Sequence, residues 1–265
     1  MQADRRDEGR GRVALITGGA SGIGLATATV LAGRGWHVVV ADLDLDRCRA
    51  AADPIGGEAI AFDVSDEAAT ERAMSEIEER FGPVAALVAN AGLIQPPTRP
   101  EDFALADFDR IIAVNLRGVY VSCVAAGRRM VARRAGGIVV TGSVSASRPV
   151  PLHAYAPAKA AVVHMAACLA AEWGRAGIRV NAVSPGFVGT PPLLAAIQRG
   201  QRDPALLRDA TAMGRMVEPV EIGHAVAFLL SDDANAITGI DLPVDAGWLV
   251  GAHQGTYGGV REQAG

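Results

Sequence analysis

The stretch that decides the fold is VALITGGASGIG, residues 13–24. Its first five residues, Val13–Thr17, are short and uncharged, which is typical of a strand buried on both faces. A glycine-rich turn follows, and a helical pattern then continues to about Arg34. Glycines let the backbone approach a pyrophosphate closely, and a helix N-terminus supplies N–H groups and partial positive charge. The stretch therefore predicts a phosphate cradle, although its spacing, Gly18-x-x-x-Gly22-x-Gly24, differs from the G-x-G-x-x-G fingerprint.

Six further apolar segments along the chain also predict strands, at about residues 36–41, 59–62, 84–89, 137–141, 178–183 and 240–244. Helical patterns lie between most of them, at about residues 66–80, 106–134, 153–172 and 218–230. Alternation of this kind favours an α/β fold, a doubly wound and mostly parallel sheet with helices on both faces. Ligands of such sheets bind at the carboxyl ends of the strands, where Gly18, Asp42, Asp63 and Asn90 are expected to lie.

Asp42 closes the second strand twenty residues after Gly22, about where an acidic residue binds the adenosine ribose in such folds. The alternative is that Asp42 caps the helix that follows. Two residues expected near Asp42, Gly19 in the glycine turn and Leu43 directly after Asp42, are not basic, and Arg47 is expected to point to solvent. A carboxylate without a nearby cation repels a 2′-phosphate, so Asp42 predicts NAD rather than NADP.

The predicted helix at 153–172, HAYAPAKAAVVHMAACLAAE, carries Tyr155 and Lys159 on one face, one turn apart. Free tyrosine titrates near ~10, and a fixed positive charge nearby lowers that pKa. Lys159 is the only lysine of the chain, and there are three tyrosines. The pair is either a tunable proton donor or an exposed helical lysine near a packed tyrosine.

Two more polar residues allow two interpretations each. Asn115 falls inside the predicted helix 106–134, where asparagine is a poor helix former; it is either structural or functional. Ser143 follows the fifth strand, where a serine either forms a turn or hydrogen-bonds a reacting oxygen.

Composition limits the class of protein. A chain of 265 residues that is 50% hydrophobic suffices for one sizeable domain, and a net charge of −4 without a basic stripe predicts no nucleic-acid partner. Residues 13–33 are uncharged, but the glycine cluster within them favours a strand, turn and helix over a membrane span. The scattered residues Cys48, Cys123 and Cys168 have neither metal-ligand nor disulfide spacing, so we expect no metal and a cytoplasmic location.

The expected domain organisation is a disordered leader at 1–11, a dinucleotide-binding catalytic domain at 12–250 and a C-terminal tail at 251–265. Residues 187–216 contain Pro191, Pro192 and Pro204. Their broken periodicity predicts short helices in a substrate lid.

Taken together, residues 12–250 resemble the short-chain dehydrogenase/reductase family. The motifs that carry the resemblance occur in the family's order: Thr17-Gly18-x-x-x-Gly22-x-Gly24, Asp63-Val64, Asn90-Ala91-Gly92, Asn115, Ser143, Tyr155-x-x-x-Lys159 and Pro185-Gly186 with Thr190. The resemblance implies a Rossmann-type fold with a seven-stranded sheet, a bound nicotinamide dinucleotide and a homotetramer. It also implies a cofactor site formed by Gly18, Ser21, Gly22, Ile23, Gly24, Asp42, Asp63, Val64, Asn90, Ala91, Gly92, Tyr155, Lys159, Pro185, Gly186, Val188 and Thr190.

The same resemblance implies four catalytic roles. Tyr155 would be the general acid/base, and Lys159 would lower the pKa of Tyr155 and hold the nicotinamide ribose. Ser143 would bind the substrate oxygen, and Asn115 would position a water in a proton relay to Lys159.

The sequence therefore predicts an oxidoreductase that transfers a hydride between NAD(H) and a secondary alcohol or ketone. The alternatives are a 3-oxoacyl thioester reductase and a dinucleotide-binding regulator without turnover. The expected substrate pocket is mostly apolar and suits a cyclic or medium-sized alcohol; position alone suggests Ile94, Gln95, Val144, Val150, Pro151, His153, Phe187 and Leu193.

Overall fold

The protein, seen in a computed structural model that describes residues 8–251, contains a single parallel sheet of seven strands. The strands are β1 (Val13–Thr17), β2 (His37–Asp42), β3 (Glu58–Ala61), β4 (Val84–Ala89), β5 (Gly136–Thr141), β6 (Ile178–Pro185) and β7 (Asp241–Val244). Their order across the sheet is β3-β2-β1-β4-β5-β6-β7, and every neighbouring pair is parallel. The strand order reverses between β1 and β4, which is the point where open α/β sheets bind ligands.

Ten α-helices lie in the described part of the chain. They are α1 (Gly22–Gly33), α2 (Leu45–Ala52), α3 (Glu67–Phe81), α4 (Leu105–Ile112), α5 (Val119–Arg133), α6 (Tyr155–Trp173), α7 (Pro191–Gln198), α8 (Pro204–Asp209), α9 (Pro219–Leu230) and α10 (Trp248–Gly251). Helices α1, α2 and α9 cover one face of the sheet, and α3, α5 and α6 cover the other. The doubly wound, single-domain α/β fold expected from the sequence is confirmed.

The two faces of β1 show how the sequence builds both layers. Successive strand side chains point to opposite faces, so Val13 and Leu15 join the core under α3, α5 and α6, whereas Ala14 and Ile16 join the core under α1, α2 and α9. All four are buried, and each fully buried Leu or Ile contributes about 1.5–3 kcal/mol. A charge-free strand is thus required by burial on both faces.

The helix predicted at 106–134 is interrupted at its middle. Helix α4 ends at Ile112, a π-helical turn spans Ala113–Gly118, and α5 begins at Val119. Within the described residues, the combined run Leu105–Arg133 has the length and apolarity of a membrane span, but 56% of its most apolar window is buried inside the protein. Core helices meet the same criterion, so the run does not indicate a membrane.

The ends of the chain and the expected lid also have observed counterparts. Residues 8–11, assigned above to a disordered leader, form a turn in which Gly9 N–H donates to the Arg34 carbonyl at 2.8 Å. Residues 1–7 and 252–265, which include the rest of that leader and nearly all of the expected tail, lie outside the described residues.

Between β6 and α9, the chain forms the two short helices α7 and α8, as the broken periodicity predicts. Val188 forms an isolated parallel bridge with Val217, which joins the two ends of this segment.

Candidate active site

The glycine turn between β1 and α1 leaves the first turn of α1 open. Gly18 and Gly22 have φ of +63° and +54°, a region that side chains other than glycine rarely adopt. Ser21 is the N-cap residue, its side chain makes no capping bond, and the first turn of α1 carries no acidic residue. The N–H groups of Gly22, Ile23 and Gly24 are therefore available to an anion.

Gly24 has a further requirement, which is space. A Cβ on Gly24 would lie 2.1 Å from the Gly18 carbonyl oxygen and 2.7 Å from Asn90 Nδ2. A Cβ on Gly18 would in turn lie 2.8 Å from Ala91 Cα. The turn is packed directly against the end of β4, and only glycine fits at either position.

Asn90 serves mainly as a brace for this turn. Its Nδ2 donates to the carbonyls of Thr17 (3.2 Å) and Gly18 (3.1 Å), and its Oδ1 accepts from Thr141 Oγ1 at 3.2 Å. The Thr17 hydroxyl accepts from the backbone N–H groups of Asn90 and Ala91. The amide of Asn90 thereby ties β1, β4 and β5 together. Thr17 belongs to the glycine motif read from the sequence, whereas the part played by the buried Thr141 was not expected.

Asp42 lies over the glycine turn. Its Oδ1 accepts from Leu43 N–H at 2.8 Å, and its Oδ2 lies 3.4 Å from the N–H of Ala20 in the turn. The cap of α2 is Asp44, whose side chain accepts from Asp46 and Arg47 N–H, so the alternative role of Asp42 as a helix cap is wrong. Arg47 is exposed, as expected, and Leu43 is exposed as well.

The remaining residues of the expected cofactor site border the same edge of the sheet. Asp63 accepts from the backbone and hydroxyl of Ser65 (2.8 and 2.7 Å), and the buried Val64 packs against Gly118. A Cβ on Gly22 would lie 3.4 Å from Thr190 Cγ2, so the start of α7 approaches the glycine turn. Gly186, which follows Pro185 at the end of β6, donates its N–H to the Val244 carbonyl at 3.1 Å.

Tyr155 is the first residue of α6 and faces Ser143 at the end of β5. Burial raises the pKa of the Tyr155 phenol, and a hydrogen bond with the Ser143 side chain lowers it in part. Ser143 is itself buried, and its Oγ accepts from the Ser145 hydroxyl at 2.9 Å and from Ser145 N–H at 3.2 Å. Ser145 thus orients the hydroxyl that meets Tyr155, a role that the sequence did not indicate.

Lys159 lies one turn after Tyr155, with its Nζ 5.7 Å from the centre of the Tyr155 ring. It is only 3% exposed, and its ammonium donates to the Thr141 carbonyl at 2.7 Å. Burial lowers the pKa of Lys159 from 10.5 to about 8. Burial is the larger influence on the pKa of the Tyr155 phenol, and the Ser143 hydrogen bond lowers that pKa; a lowering of the same pKa by Lys159 stays a prediction.

Asn115 is completely buried within the π-helical turn. Its Oδ1 accepts from Leu93 N–H at 2.7 Å, and its Nδ2 donates to the Leu93 carbonyl at 2.8 Å. A Cβ on Gly92 would lie 3.5 Å from Asn115 Oδ1 and 3.6 Å from Lys159 Nζ. The structure therefore brings Asn115, Ser143, Tyr155 and Lys159 to one site at the carboxyl ends of β4 and β5.

A cavity of about 270 Å³ adjoins this site on the side of Ser145. Two of the expected pocket residues, Val150 and His153, contribute to its lining, which is otherwise mostly apolar. Gln95, also expected in the pocket, is instead 1% exposed and binds the backbone of Ala154 and Tyr155. Phe187 packs edge-on against Trp248 at 6.0 Å, which places the start of the segment 187–216 next to α10.

The residues present fit a dinucleotide. An open helix N-terminus behind a glycine turn suits a pyrophosphate, and the Asp42 carboxylate above that turn suits ribose hydroxyls. The buried ammonium of Lys159 beside the exposed Gly92 provides a donor for a second ribose. Among the described residues no group of three His, Cys, Asp or Glu side chains suits a metal ion.

Comparison with known proteins identifies the class. A family model described as enoyl-(acyl carrier protein) reductase matches residues 18–249. Two dehydrogenase relatives are 38% and 40% identical to the chain over about nine-tenths of its length. The family model and these relatives together show that the chain belongs to the short-chain dehydrogenase/reductase family. It is accordingly an oxidoreductase of CH–OH groups that uses a nicotinamide dinucleotide and a small-molecule substrate.

The chain is similar to individual members over most of its length. It is 38% identical to D-threitol dehydrogenase of Mycolicibacterium smegmatis (91% of this chain, 94% of the relative) and 40% identical to galactitol 2-dehydrogenase of Rhizobium johnstonii (90% and 95%). A solved structure from Brucella melitensis, named as a ribose-5-phosphate isomerase, is 42% identical with a TM-score of 0.93 and coverage of 97% and 99%.

Proposed function

We propose that this enzyme is an NAD-dependent dehydrogenase of secondary alcohols in which Tyr155 is the general acid/base. The observation that carries the proposal is the position of Tyr155: the first residue of α6 meets the buried Ser143 hydroxyl and lies 5.7 Å from the buried Lys159 ammonium. A bound nicotinamide would supply the hydride chemistry at the alcohol or ketone carbon. The chain's own residues handle the proton and the oxygen.

In oxidation, Tyr155 as phenolate takes the hydroxyl proton, and in reduction the phenol returns it. Ser143 donates a hydrogen bond to the substrate oxygen as charge develops there. The Ser145 hydroxyl donates to Ser143 Oγ, which leaves the Ser143 proton free for the substrate or for Tyr155. Lys159 adds a buried positive charge near the Tyr155 ring, where it favours the phenolate.

The preference for NAD rests on Asp42. The carboxylate accepts hydrogen bonds from the two free ribose hydroxyls of NAD, whereas a 2′-phosphate places like charges in contact. The neighbours of Asp42 are an exposed leucine and the N–H of Ala20, and neither compensates a phosphate. We expect NAD to exceed NADP by at least about a hundredfold in kcat/KM, which is ~2.7 kcal/mol at ~1.4 kcal/mol per decade.

The substrate class proposed is a secondary alcohol of a polyol or a cyclic compound. The two dehydrogenase relatives are named for polyols, whereas the cavity beside Ser145 is mostly apolar with His153 as a polar group. The Brucella relative is named as a sugar-phosphate isomerase, but no Arg or Lys that could pair with a phosphate is among the described residues that line this cavity. Reduction of a 3-oxoacyl thioester is the second candidate; the matching family model is described as a reductase of acyl-carrier-protein thioesters, but of their enoyl C=C bond rather than of a ketone.

Three further expectations belong to this proposal. Residues 187–216 act as the substrate lid, since α7 and α8 follow Phe187 at the site's edge. The enzyme is a homotetramer paired partly through α5 and α6. Helix α5 carries two apolar residues that are partly exposed in the single chain, Tyr120 and Val131, which supports this pairing. Light scattering that showed only a 27.3 kDa species would contradict the tetramer. A cytoplasmic location fits the three free cysteines.

Steady-state kinetics test the proposal. A panel of polyols, cyclic alcohols, the matching ketones and an acetoacetyl thioester is followed by NADH or NADPH absorbance, for the wild type and for Asp42→Ala. We expect oxidation of a secondary alcohol with NAD and a smaller NAD preference in Asp42→Ala. Turnover of the thioester alone would favour the second candidate, and equal efficiency with NADP in the wild type would refute the role of Asp42.

A further inference from the structure

The loop after β4 links two of the four proposed catalytic residues. Asn115 holds both backbone polar groups of Leu93, at 2.7 and 2.8 Å. Two residues later, Gln95 Oε1 accepts from the backbone N–H of Ala154 at 2.7 Å and of Tyr155 at 3.2 Å. The segment from Leu93 to Gln95 therefore connects the π-helical turn that carries Asn115 with the helix start that carries Tyr155.

The orientation of the Gln95 amide is fixed by its partners. The backbone N–H groups of Ala154 and Tyr155 are donors, so the atom that faces them must be the oxygen. The NH2 group then faces the His153 ring, whose nitrogens lie 3.4 and 3.5 Å away. With a side chain only 1% exposed, Gln95 has no alternative solvent-facing arrangement, so the amide is locked between α6 and His153.

Helix α6 needs this partner because its own N-cap residue offers none. The first N–H groups of any helix lack acceptors within the helix, and Ser, Thr, Asp or Asn normally supplies one from the N-cap position. The N-cap of α6 is Ala154, which makes no side-chain capping bond. The Ala156 N–H is accepted by the Leu152 carbonyl at 2.8 Å, and Pro157 has no N–H. The N–H groups of Ala154 and Tyr155 remain, and Gln95 supplies their acceptor from a distant part of the sequence.

We propose that Gln95 is a positioning residue for Tyr155, acting as an external cap that holds the first turn of α6 in place. The proposal rests on the general acid/base role proposed for Tyr155. Tyr155 is the first residue of α6, so it is the first to move if the helix start frays. Displacement of a catalytic group by about 1 Å can reduce turnover on the order of a hundredfold, whereas the same fraying elsewhere affects stability alone.

The test compares variants that keep or remove the acceptor. Gln95→Met retains the volume and the unbranched shape but has no strong acceptor, and Gln95→Glu retains two acceptor oxygens at the positive end of a helix. The matched control is Asn181→Leu. Asn181 is also a buried amide, which donates to the Ile237 carbonyl at 3.0 Å and accepts from Ile240 N–H at 3.2 Å, between β6 and β7. Each variant is measured for Tm, NADH affinity, KM and kcat, with Tyr155→Phe as the reference for lost proton transfer.

We expect Gln95→Met to lower kcat by at least about tenfold with NADH affinity nearly unchanged, and Gln95→Glu to recover most of that kcat. Asn181→Leu lowers Tm comparably without a matching loss of kcat. If Gln95→Met does not fold, Gln95→Asn, whose oxygen lies one methylene short of the helix, is expected to show the same loss of kcat.

Normal kcat in Gln95→Met, or a loss of kcat in Asn181→Leu as large as in Gln95→Met, would overturn the positioning role. Near-normal turnover in Tyr155→Phe would instead refute the proposed function, because it would show that Tyr155 is not the general acid/base.

Discussion

Replacement of Lys159 by Met is expected to stabilise the cofactor-free fold and to abolish turnover. Lys159 is the chain's only lysine, and it is 3% exposed. Burial lowers its pKa from 10.5 to about 8. Because one pH unit corresponds to roughly 1.4 kcal/mol, the buried charge destabilises the fold at pH 7 by about 3 kcal/mol relative to a neutral side chain. Methionine fills a similar volume without the charge.

The lost hydrogen bond to the Thr141 carbonyl (2.7 Å) offsets part of this gain. A net hydrogen bond contributes about 1 kcal/mol, so Lys159→Met should be more stable than the wild type by about 2 kcal/mol at pH 7. Since the folded-state pKa is lowered, the unfolded state binds more protons between about pH 8 and 10.5, and the stability of the wild type rises with pH in that window. The advantage of the variant should therefore shrink above pH 8 and nearly vanish by about pH 10.

Urea unfolding of both proteins at matched concentration and at several pH values between 7 and 10 measures this difference. Arg47→Met is the control, because Arg47 is exposed and its loss should change stability by less than about 0.5 kcal/mol. A variant less stable than the wild type at pH 7, or a difference independent of pH, would refute the reasoning that Lys159 is retained for function at the expense of stability.

Three other predictions concern the same site. Gly24→Ala should weaken NADH binding by about tenfold or more and lower Tm, because its Cβ would lie 2.1 Å from the Gly18 carbonyl oxygen; Gly33→Ala, with nothing within 4 Å, is the control and should leave binding unchanged. Lys159→Arg should lose most turnover, because a planar guanidinium does not fit the place of a compact ammonium; retained activity measured by NADH absorbance would contradict this. Alcohol oxidation should rise with pH and ketone reduction should fall, because burial raises the pKa of Tyr155 and only oxidation requires the phenolate; initial rates in both directions that respond alike to pH would be inconsistent with this role.

The sheet was accessible from the sequence because strands buried on both faces must be uncharged. β1 and β4 have the predicted bounds, and the other strands begin or end within two residues of them. The sixth strand extends two residues further than predicted, to Pro185, which pairs with Val244 in the edge strand β7. A proline at a strand end is permitted there because the lost N–H does not interrupt the sheet interior.

The interruption at Asn115 could not be predicted from local propensity. Asparagine is only a weak helix former, and the sequence around it is otherwise helical. Within the π-helical turn, the Asn115 amide binds the backbone of Leu93, which lies 22 residues earlier in the sequence. Contacts between segments so distant in sequence leave no local signal.

The sequence predicted the positions of Tyr155 and Lys159 but not how burial changes their pKa values. The spacing of Tyr155 and Lys159 places them on one helix face, and the structure confirms that they are neighbours. The sequence shows the sign of a nearby charge but not the extent of desolvation, and burial is the larger influence on both groups. The contact of Gln95 with the start of α6 was likewise hidden, because Gln95 lies in a proline-rich loop without periodicity.

Tyr155 is expected to transfer the proton while the rest of the site holds the cofactor. The most direct test is the rate of NADH formation by Tyr155→Phe with the best alcohol substrate, together with its affinity for NADH by fluorescence. We expect kcat to fall by at least about a hundredfold, as general acid–base catalysis contributes typically 10²–10⁴-fold, while NADH affinity stays within about threefold, ~0.7 kcal/mol, of the wild type. Near-normal turnover in Tyr155→Phe would contradict the claim, and so would loss of turnover that arises only because the cofactor no longer binds.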